Sequence, residues 1–266
     1  MLPDYHTHTR LCKHATGEPI EYLRAAEAAG LSELGVSDHC PWPENFDPDY
    51  RMTPREYPAY RAIVDSLRKE KSKVKIRYGI EIDWVPGRMD EVTANIAGED
   101  FDYLMGAVHN IEEFPFDNPD FAKDYTPEKT EWVWEKYAEE MISFIREVDF
   151  DIIAHVDLPK KFGFFPSSRQ SFLDKMRTAL SLAAEKGMAV EINTAGLRKP
   201  VRQIYPSLDL LQIAHDCGLA LTLGSDAHAP AEVAANFKEA TALARAAGYT
   251  HLAFYEQRKQ RFLPLG

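Results

Sequence analysis

Seven histidines and two carboxylates fall where they could hold metal ions together. His6 and His8 are one residue apart, a spacing that turns both side chains to one face of a strand. His39 closes Ser37-Asp38-His39, His109 closes Ala107-Val108-His109, and His155 follows Ile153-Ala154, each at the end of an apolar run. Glu81 lies inside Gly79-Ile80-Glu81-Ile82-Asp83, and Asp226 and His228 close Gly224-Ser225-Asp226-Ala227-His228. His14 follows the first run in Leu11-Cys12-Lys13-His14. A lone histidine at a strand end is usually structural, but nine donors gathered at one rim point to metal. Imidazole and carboxylate without thiolate suit zinc, iron or manganese and do not choose between them. Nine donors exceed what one ion can hold, so two to three divalent transition ions are implied, a carboxylate bridging them. Three ions less two carboxylates and a hydroxide leave a site near roughly +3, which calls for an anion such as phosphate, since paired metals can activate water and hold both attacking and leaving oxygens. His215, inside a helical pattern, and His251, beyond the last one, read as ordinary packing or surface residues. Cys40, beside His39, reads as a small buried residue and not as a ligand.

The elements that must position these donors alternate along the chain. Four helical patterns end in glycine and lead into an apolar run: Gly30 before Leu34-Gly35-Val36, Gly187 before Ala189-Val190, Gly218 before Leu219-Ala220-Leu221, and Gly248 before Tyr249. Glycine tolerates the left-handed backbone that closes a helix. Strands are expected near 3–8, 33–39, 75–84, 103–109, 152–157, 189–195 and 219–227. Helices are expected near 19–29, 55–71, 88–97, 128–148, 169–186, 207–217 and 231–247, several opening on Pro19, Pro54, Thr126-Pro127, Ser168 or Ser207. Seven strands alternating with seven helices imply an α/β fold with parallel strands. The long loops near 40–53, 110–126, 158–168 and 196–206 then lie at one rim, where such barrels keep their active sites.

The chain has 266 residues, 45% of them apolar, which suits one domain over 1–266. A formal net charge of −11 disfavours nucleic-acid partners. No apolar run is long enough to cross a bilayer, and Met1-Leu2-Pro3-Asp4-Tyr5 lacks the features of an export signal. Three cysteines without paired spacing suit a reduced, cytoplasmic compartment. Nothing in the composition sets the oligomeric state.

His-x-His in the first strand, Asp38-His39, Glu81, His109, His155 and the closing Gly-Ser-Asp-Ala-His together resemble the PHP (polymerase and histidinol phosphatase) superfamily, and the resemblance covers nearly the whole chain. It implies a distorted (β/α)7 barrel, TIM-barrel-like and single-domain, with a trinuclear metal centre. Carried over residue by residue, one ion takes His6, His8, Glu81 and Asp226. A second shares Glu81 and adds His109 and His155. The third takes His14, His39 and His228.

Three segments look like the histidinol-phosphate phosphatase branch: His39-Cys40-Pro41-Trp42-Pro43, the run from His155 through Lys160-Lys161 to Gly163, and Asn193-Thr194-Ala195-Gly196-Leu197-Arg198-Lys199-Pro200. The resemblance implies hydrolysis of L-histidinol phosphate, a small phosphomonoester, in histidine biosynthesis. A metal-activated hydroxide, with Glu81, Asp226 and His228 around it, attacks phosphorus while Arg198 stabilises its oxygens. The sixth strand carries no metal ligand yet ends in polar Asn193 and leads to Arg198, so Arg198 is expected to grip phosphate in bidentate fashion, aided by Lys160 or Lys161. Trp42, Phe46, Phe114, Phe116, Phe162, Phe164 and Phe165 are candidates to wall an imidazole pocket or simply to pack the loops. Open alternatives are a PHP-type phosphoesterase acting on phosphotyrosine or nucleotides, an amidohydrolase, and a non-catalytic metal-stabilised barrel.

Overall fold

A computed structural model describes residues 1–42 and 47–265. Eight short strands run parallel. β1 (Pro3–Asp4), β2 (Glu33–Val36) and β3 (Lys75–Tyr78) form one sheet; β4 (Glu81–Asp83), β5 (Met105–Ala107), β6 (Ile152–Ile153), β7 (Ala189–Asn193) and β8 (Ala220–Gly224) form a second. Lone parallel bridges join the two sheets at both seams, His39 with Glu81 and Thr7 with Ala227. Around them lie α1 (Pro19–Ala28), α2 (Tyr57–Lys69), α3 (Met89–Ala94), α4 (Pro127–Glu147), α5 (Gln170–Glu185), α6 (Leu208–Asp216) and α7 (Phe237–Ala246). Each expected helix is present, α4 shifted one residue earlier and the others shortened at one or both ends by up to six residues.

The helix stops work as their glycines suggest. Gly30, Gly187, Gly218 and Gly248 all have positive φ, and the residue after each donates its N–H five residues back, as from Leu31 to Ala26 O at 3.0 Å and from Met188 to Ala183 O at 3.0 Å. α4 opens on Thr126, whose hydroxyl accepts from Lys129 N, with Pro127 in its first turn. It then buries Val133, Trp134, Tyr137, Ala138, Met141, Phe144 and Ile145, the three-and-four spacing of one helix face. Two expected openings differ. α2 begins after Pro54, and α5 is preceded by Arg169 and not by Ser168.

The strand expected over 75–84 is two, broken at Gly79-Ile80. Tyr103 inserts its ring where a side chain at Gly35 or Gly79 would stand, and its hydroxyl donates to Tyr5 O at 2.6 Å. The Gly79 carbonyl, freed at the break, accepts from the Tyr60 hydroxyl at 2.6 Å. The break lets β3 pair with β2 while β4 turns to pair with β5.

An antiparallel hairpin, β9 (His251–Glu256) and β10 (Lys259–Pro264), is absent from the sequence-based expectation. Its turn places Gln257 and Arg258 at positive φ without the glycine or asparagine that usually marks such turns. Asp102 holds it instead, accepting from Gln257 N through Oδ1 at 3.1 Å and from Arg258 N through its carbonyl at 2.8 Å. The hairpin covers the strand ends opposite the histidines. There Tyr5 OH donates to Glu33 and accepts from Tyr255 N, and Glu33 is also paired with Arg77 and Arg261.

Gly79→Ala should therefore be destabilising, because the new methyl overlaps the buried Tyr103 ring. Overpacking of this kind costs about 1–3 kcal/mol, read as a lower urea midpoint at unchanged slope. An unshifted midpoint would show that the Tyr103 insertion does not require glycine.

Candidate metal centre

All nine sequence-predicted donors meet, eight of them beyond the C-terminal ends of β1, β2, β5, β6 and β8. Glu81, at the start of β4, is fully buried among imidazoles. Its Oε1 lies 3.1 Å from His155 Nε2, 3.4 Å from His6 Nε2 and 3.7 Å from His109 Nε2. Its Oε2 lies 2.9 Å from His39 Nδ1 and 3.8 Å from His8 Nε2. Asp226 Oδ1 lies 3.2 Å from His8 Nε2 and 3.8 Å from His6 Nε2. His228 stacks on His8 at 4.0 Å between ring centroids and on His14 at 4.5 Å, and His39 is 4.5 Å from His8.

Hydrogen bonds behind the rings set which nitrogen faces inward. The Nδ1 atoms of His6, His8, His14, His109 and His228 face Glu191 Oε1 (2.7 Å), Asp38 Oδ1 (3.4 Å), Cys12 O (2.7 Å), an oxygen of Asp83, and Asp226 O (3.1 Å). An Nδ1–H donated to such an acceptor leaves the Nε2 lone pair free, the arrangement of metal-ligating histidines. The buried Nε2 atoms of His6, His8 and His228 have no hydrogen-bond partner, while Nδ1 of His39 and Oε2 of Glu81, 2.9 Å apart, have only each other. Donor atoms of His6, His8 and Glu81, of His8, His39 and His228, and of His6, His155 and Asp226 lie within 4.8 Å of one another in each set. Buried unpaired lone pairs are costly, and a cation is the partner that satisfies several at once. The residues fit divalent transition ions.

The field of the site divides its imidazoles. Burial opposes charge on His6, His8, His14, His39, His109 and His228. Glu191, Glu81 and Asp226 nonetheless raise His6 well above its ordinary value, Asp226 and Asp38 lift His8 to about 9, and Asp83 lifts His109 to about 9. Burial, with His39 and His8 nearby, brings His14 down to about 4, and His39 and His228 are also lowered chiefly by burial. Burial likewise opposes charge on Glu81 and Asp226, yet the imidazoles hold both well below the usual carboxylate range, His6 and His39 acting on Glu81, His6 and His8 on Asp226.

All of these donors except His6 and His8 line a cavity of about 630 Å³, whose walls include Tyr50, Arg51, Asp117, Phe121, Lys161, Lys199 and Tyr205. The substrate-side expectations fare less evenly. Lys161 is on the wall, its Nζ donating to Asp117 at 3.0 Å. Lys160 is fully buried and donates to Asp157 at 2.8 Å and Ile204 O at 2.7 Å, so it braces a loop. Arg198 donates through Nη2 to the Ser225 and Asp226 carbonyls at 2.7 and 3.2 Å, and its Nε pairs with Glu232 at 3.2 Å. Only Nη1, buried and unpartnered, remains, so the bidentate fork is committed elsewhere. Asn193 is buried with its amide toward Glu191 and Asp226, at 3.1 and 3.3 Å. Trp42 is buried under the Arg51 guanidinium, 3.8 Å from its ring.

The loop aromatics pack the loops, the blander of the two expectations. Phe116 packs edge-on against Tyr137, Phe164 stacks on Tyr125 at 4.6 Å, and Phe165 stacks over Trp134 at 6.0 Å. Phe114 meets Phe121 and Trp132, and Phe162 meets Tyr125. Phe46 and Pro43 lie outside the described residues. The aromatic wall comes instead from Tyr50, Phe121 and Tyr205. His215 is exposed against Tyr249 and His251 is exposed, as expected, and Cys40 is buried.

Sequence reasoning missed the carboxylates behind the rings, Asp38, Asp83 and Glu191, and the wall residues Tyr205 and Lys199. A glutamate at the centre of the buried strand Ala189-Val190-Glu191-Ile192-Asn193 was a legible signal for the third carboxylate. It also missed Cys12, whose Sγ lies within 4.8 Å of donor atoms of His14 and His228.

A family model described as PHP domain matches residues 4–195. The chain is 38% identical over 260 residues to a probable histidinol-phosphatase of Deinococcus radiodurans, covering 97% of this chain and 98% of that one. It is 26% identical over 279 residues to a histidinol-phosphatase of Bacillus subtilis, covering 96% and 98%. The fold superposes with TM-score 0.81, at 22% identity and 98% coverage of each chain, on histidinol phosphate phosphatase from Lactococcus lactis crystallised with zinc, L-histidinol and phosphate. No helix among the described residues is long and apolar enough to cross a membrane.

At pH 7 the metal-free centre should hold its extra protons on the raised His6, His8 and His109, the last two near 9, and none on the lowered His14, His39 and His228. Metal must displace those protons, so zinc binding should release up to about three per chain and tighten as pH rises toward 9. Titration in weakly buffered indicator checks both. Binding without proton release at pH 7 would contradict this charge distribution.

Proposed function

The chain belongs to the PHP domain family, and from that premise we propose that it is a metal-dependent histidinol-phosphatase, hydrolysing L-histidinol phosphate to L-histidinol and phosphate in histidine biosynthesis. The observation that carries the reading is the cluster at and beneath the cavity floor, where seven imidazoles and two carboxylates meet and the inward nitrogens of His6, His8 and His228 are left unsatisfied by hydrogen bonds within the protein. The names of the full-length relatives point to the same activity. Residues 1–266 act as one metallophosphatase unit, since Asp226 and His228, beyond the family match, complete the donor set.

Two to three divalent ions, zinc, iron or manganese, would be held by His6, His8, Glu81 and Asp226, by Glu81, His109 and His155, and by His14, His39 and His228. Bound there, they would supply Lewis acidity toward phosphoryl oxygens and a lowered pKa for water. The protein's own groups divide the remaining work. Glu81 lies within 4 Å of five imidazoles and ties the floor together. Lys161 and Lys199 bring positive charge to the wall. These groups suit the phosphate end of the substrate.

Other groups lining the same cavity suit the rest of it. Glu113 and Asp120 bring negative charge to a lining that also holds Tyr50 and Phe121, a setting that favours an ammonium and a flat ring over a further phosphate. That arrangement favours an amino-alcohol phosphate over a nucleotide. The protein has a formal charge of −11, which disfavours nucleic acid, and its three cysteines are free, which suits the cytoplasm.

Steady-state kinetics of the zinc-, iron- or manganese-loaded protein test the assignment. kcat/KM for L-histidinol phosphate should exceed that for p-nitrophenyl phosphate, phosphotyrosine and nucleoside monophosphates by a hundredfold or more, about 2.7 kcal/mol of transition-state discrimination. Chelation should abolish it. Equal or greater efficiency on phosphotyrosine or a nucleotide would overturn the substrate and leave the phosphoesterase class.

A further inference from the structure

We propose that Glu191 is the positioning residue that aims donor atoms on both sides of the metal centre, so that the parts of the centre load as a unit. The inference rests on the metal reading above. β7 carries no proposed ligand, yet Glu191 stands at its middle with its side chain fully buried. Its two oxygens do separate jobs. Oε1 accepts from His6 Nδ1–H at 2.7 Å. Oε2 accepts from the backbone N–H of His155 at 3.0 Å and from the Asn193 amide at 3.1 Å. The same Asn193 nitrogen reaches Asp226 Oδ2 at 3.3 Å.

Each contact governs a donor atom. Donation of Nδ1–H to Glu191 leaves His6 Nε2 as a lone pair facing Glu81 and Asp226. His155 has φ of 26°, a left-handed backbone that a side-chain-bearing residue adopts only at a cost and that needs an outside anchor. The N–H bond to Glu191 is such an anchor, and with it His155 Nε2 stands 3.1 Å from Glu81. Asn193 passes the same constraint to Asp226. One carboxylate thus orients His6 and Asp226, assigned to one ion, and His155, assigned to another.

The neighbouring strand is built to admit it. At Gly224 in β8 a side chain would overlap Glu191 Oε1 and stand 2.6 Å from the His6 Cβ. Both Glu191 oxygens must accept, which makes the carboxylate essential and its amide inadequate. Glutamine offers one acceptor and one donor. The His155 N–H is fixed by the backbone, so the amide oxygen turns to it and the –NH2 faces His6. His6 must then carry its proton on Nε2, and its inward lone pair is lost.

Zinc titration of the metal-free protein, followed by ¹⁵N-histidine NMR of the zinc-loaded form, tests this without an activity assay. Glu191→Gln should fold normally by circular dichroism and bind zinc ten- to a hundredfold more weakly, the usual range for losing such an outer partner. One imidazole should switch from the Nδ1–H to the Nε2–H tautomer. Glu191→Asp, which keeps two acceptors, should restore part of the affinity and the original tautomer. Should Glu191→Gln not fold, Asn193→Ala reads the same network and should weaken zinc about tenfold with the His6 tautomer retained. Wild-type affinity and tautomers in Glu191→Gln, or wild-type affinity in Asn193→Ala, would overturn the proposal while leaving the metal reading intact. Failure of the wild-type protein to bind zinc would overturn both.

Discussion

A carboxylate with almost no access to water, ringed by imidazoles, is the constraint on which the rest of this molecule depends. Glu81 lies within 4 Å of nitrogens from five histidines, and several of those nitrogens have no hydrogen-bond partner. Such an arrangement is unfavourable in a dry interior unless something satisfies the lone pairs. The carboxylates behind the rings make it worse for a bare protein, because they raise the basicity of His6, His8 and His109. They make it better for a cation, because each fixes a tautomer and points a lone pair inward. The site is therefore poised between holding protons and holding metal.

The scaffold separates stability from chemistry along the strand axis. At one end the strands are sealed: Tyr5, Tyr103 and Tyr255 cluster there, Glu33 is gripped by Arg77 and Arg261, and the β9–β10 hairpin lies across them. At the other end the strands stop early and long loops take over. His155 and Asp226 sit just past their strands at positive φ, so strained backbone is concentrated where donor atoms must be aimed. Hydrogen bonds with Glu191 and Asn193 hold them there.

How much of this was legible in the sequence differs by kind of signal. Donors at strand ends were legible because period-two spacing and glycine helix stops are local, and all nine met as expected. The hairpin was not, because Gln257 and Arg258 hold a turn conformation through Asp102, far away in sequence. The break in the third strand was hidden because its cause, the Tyr103 ring, comes from another element. The cations were the least legible. Lys160 and Lys161 are adjacent, yet one faces Asp157 in the interior and the other faces the cavity, while Arg198 commits Nη2 to backbone carbonyls and Nε to Glu232. Residue type announces charge, and only packing decides which way a long side chain points.

The central claim is that these nine side chains form one metal centre at the cavity floor. Element-specific anomalous diffraction from crystals grown with zinc or manganese tests it most directly. The expected result is two or three anomalous peaks beside Glu81, bounded by the inward nitrogens of His6, His8, His39, His109, His155 and His228. Peaks confined to other parts of the surface, with the floor histidines hydrogen-bonded only to protein and water, would contradict it.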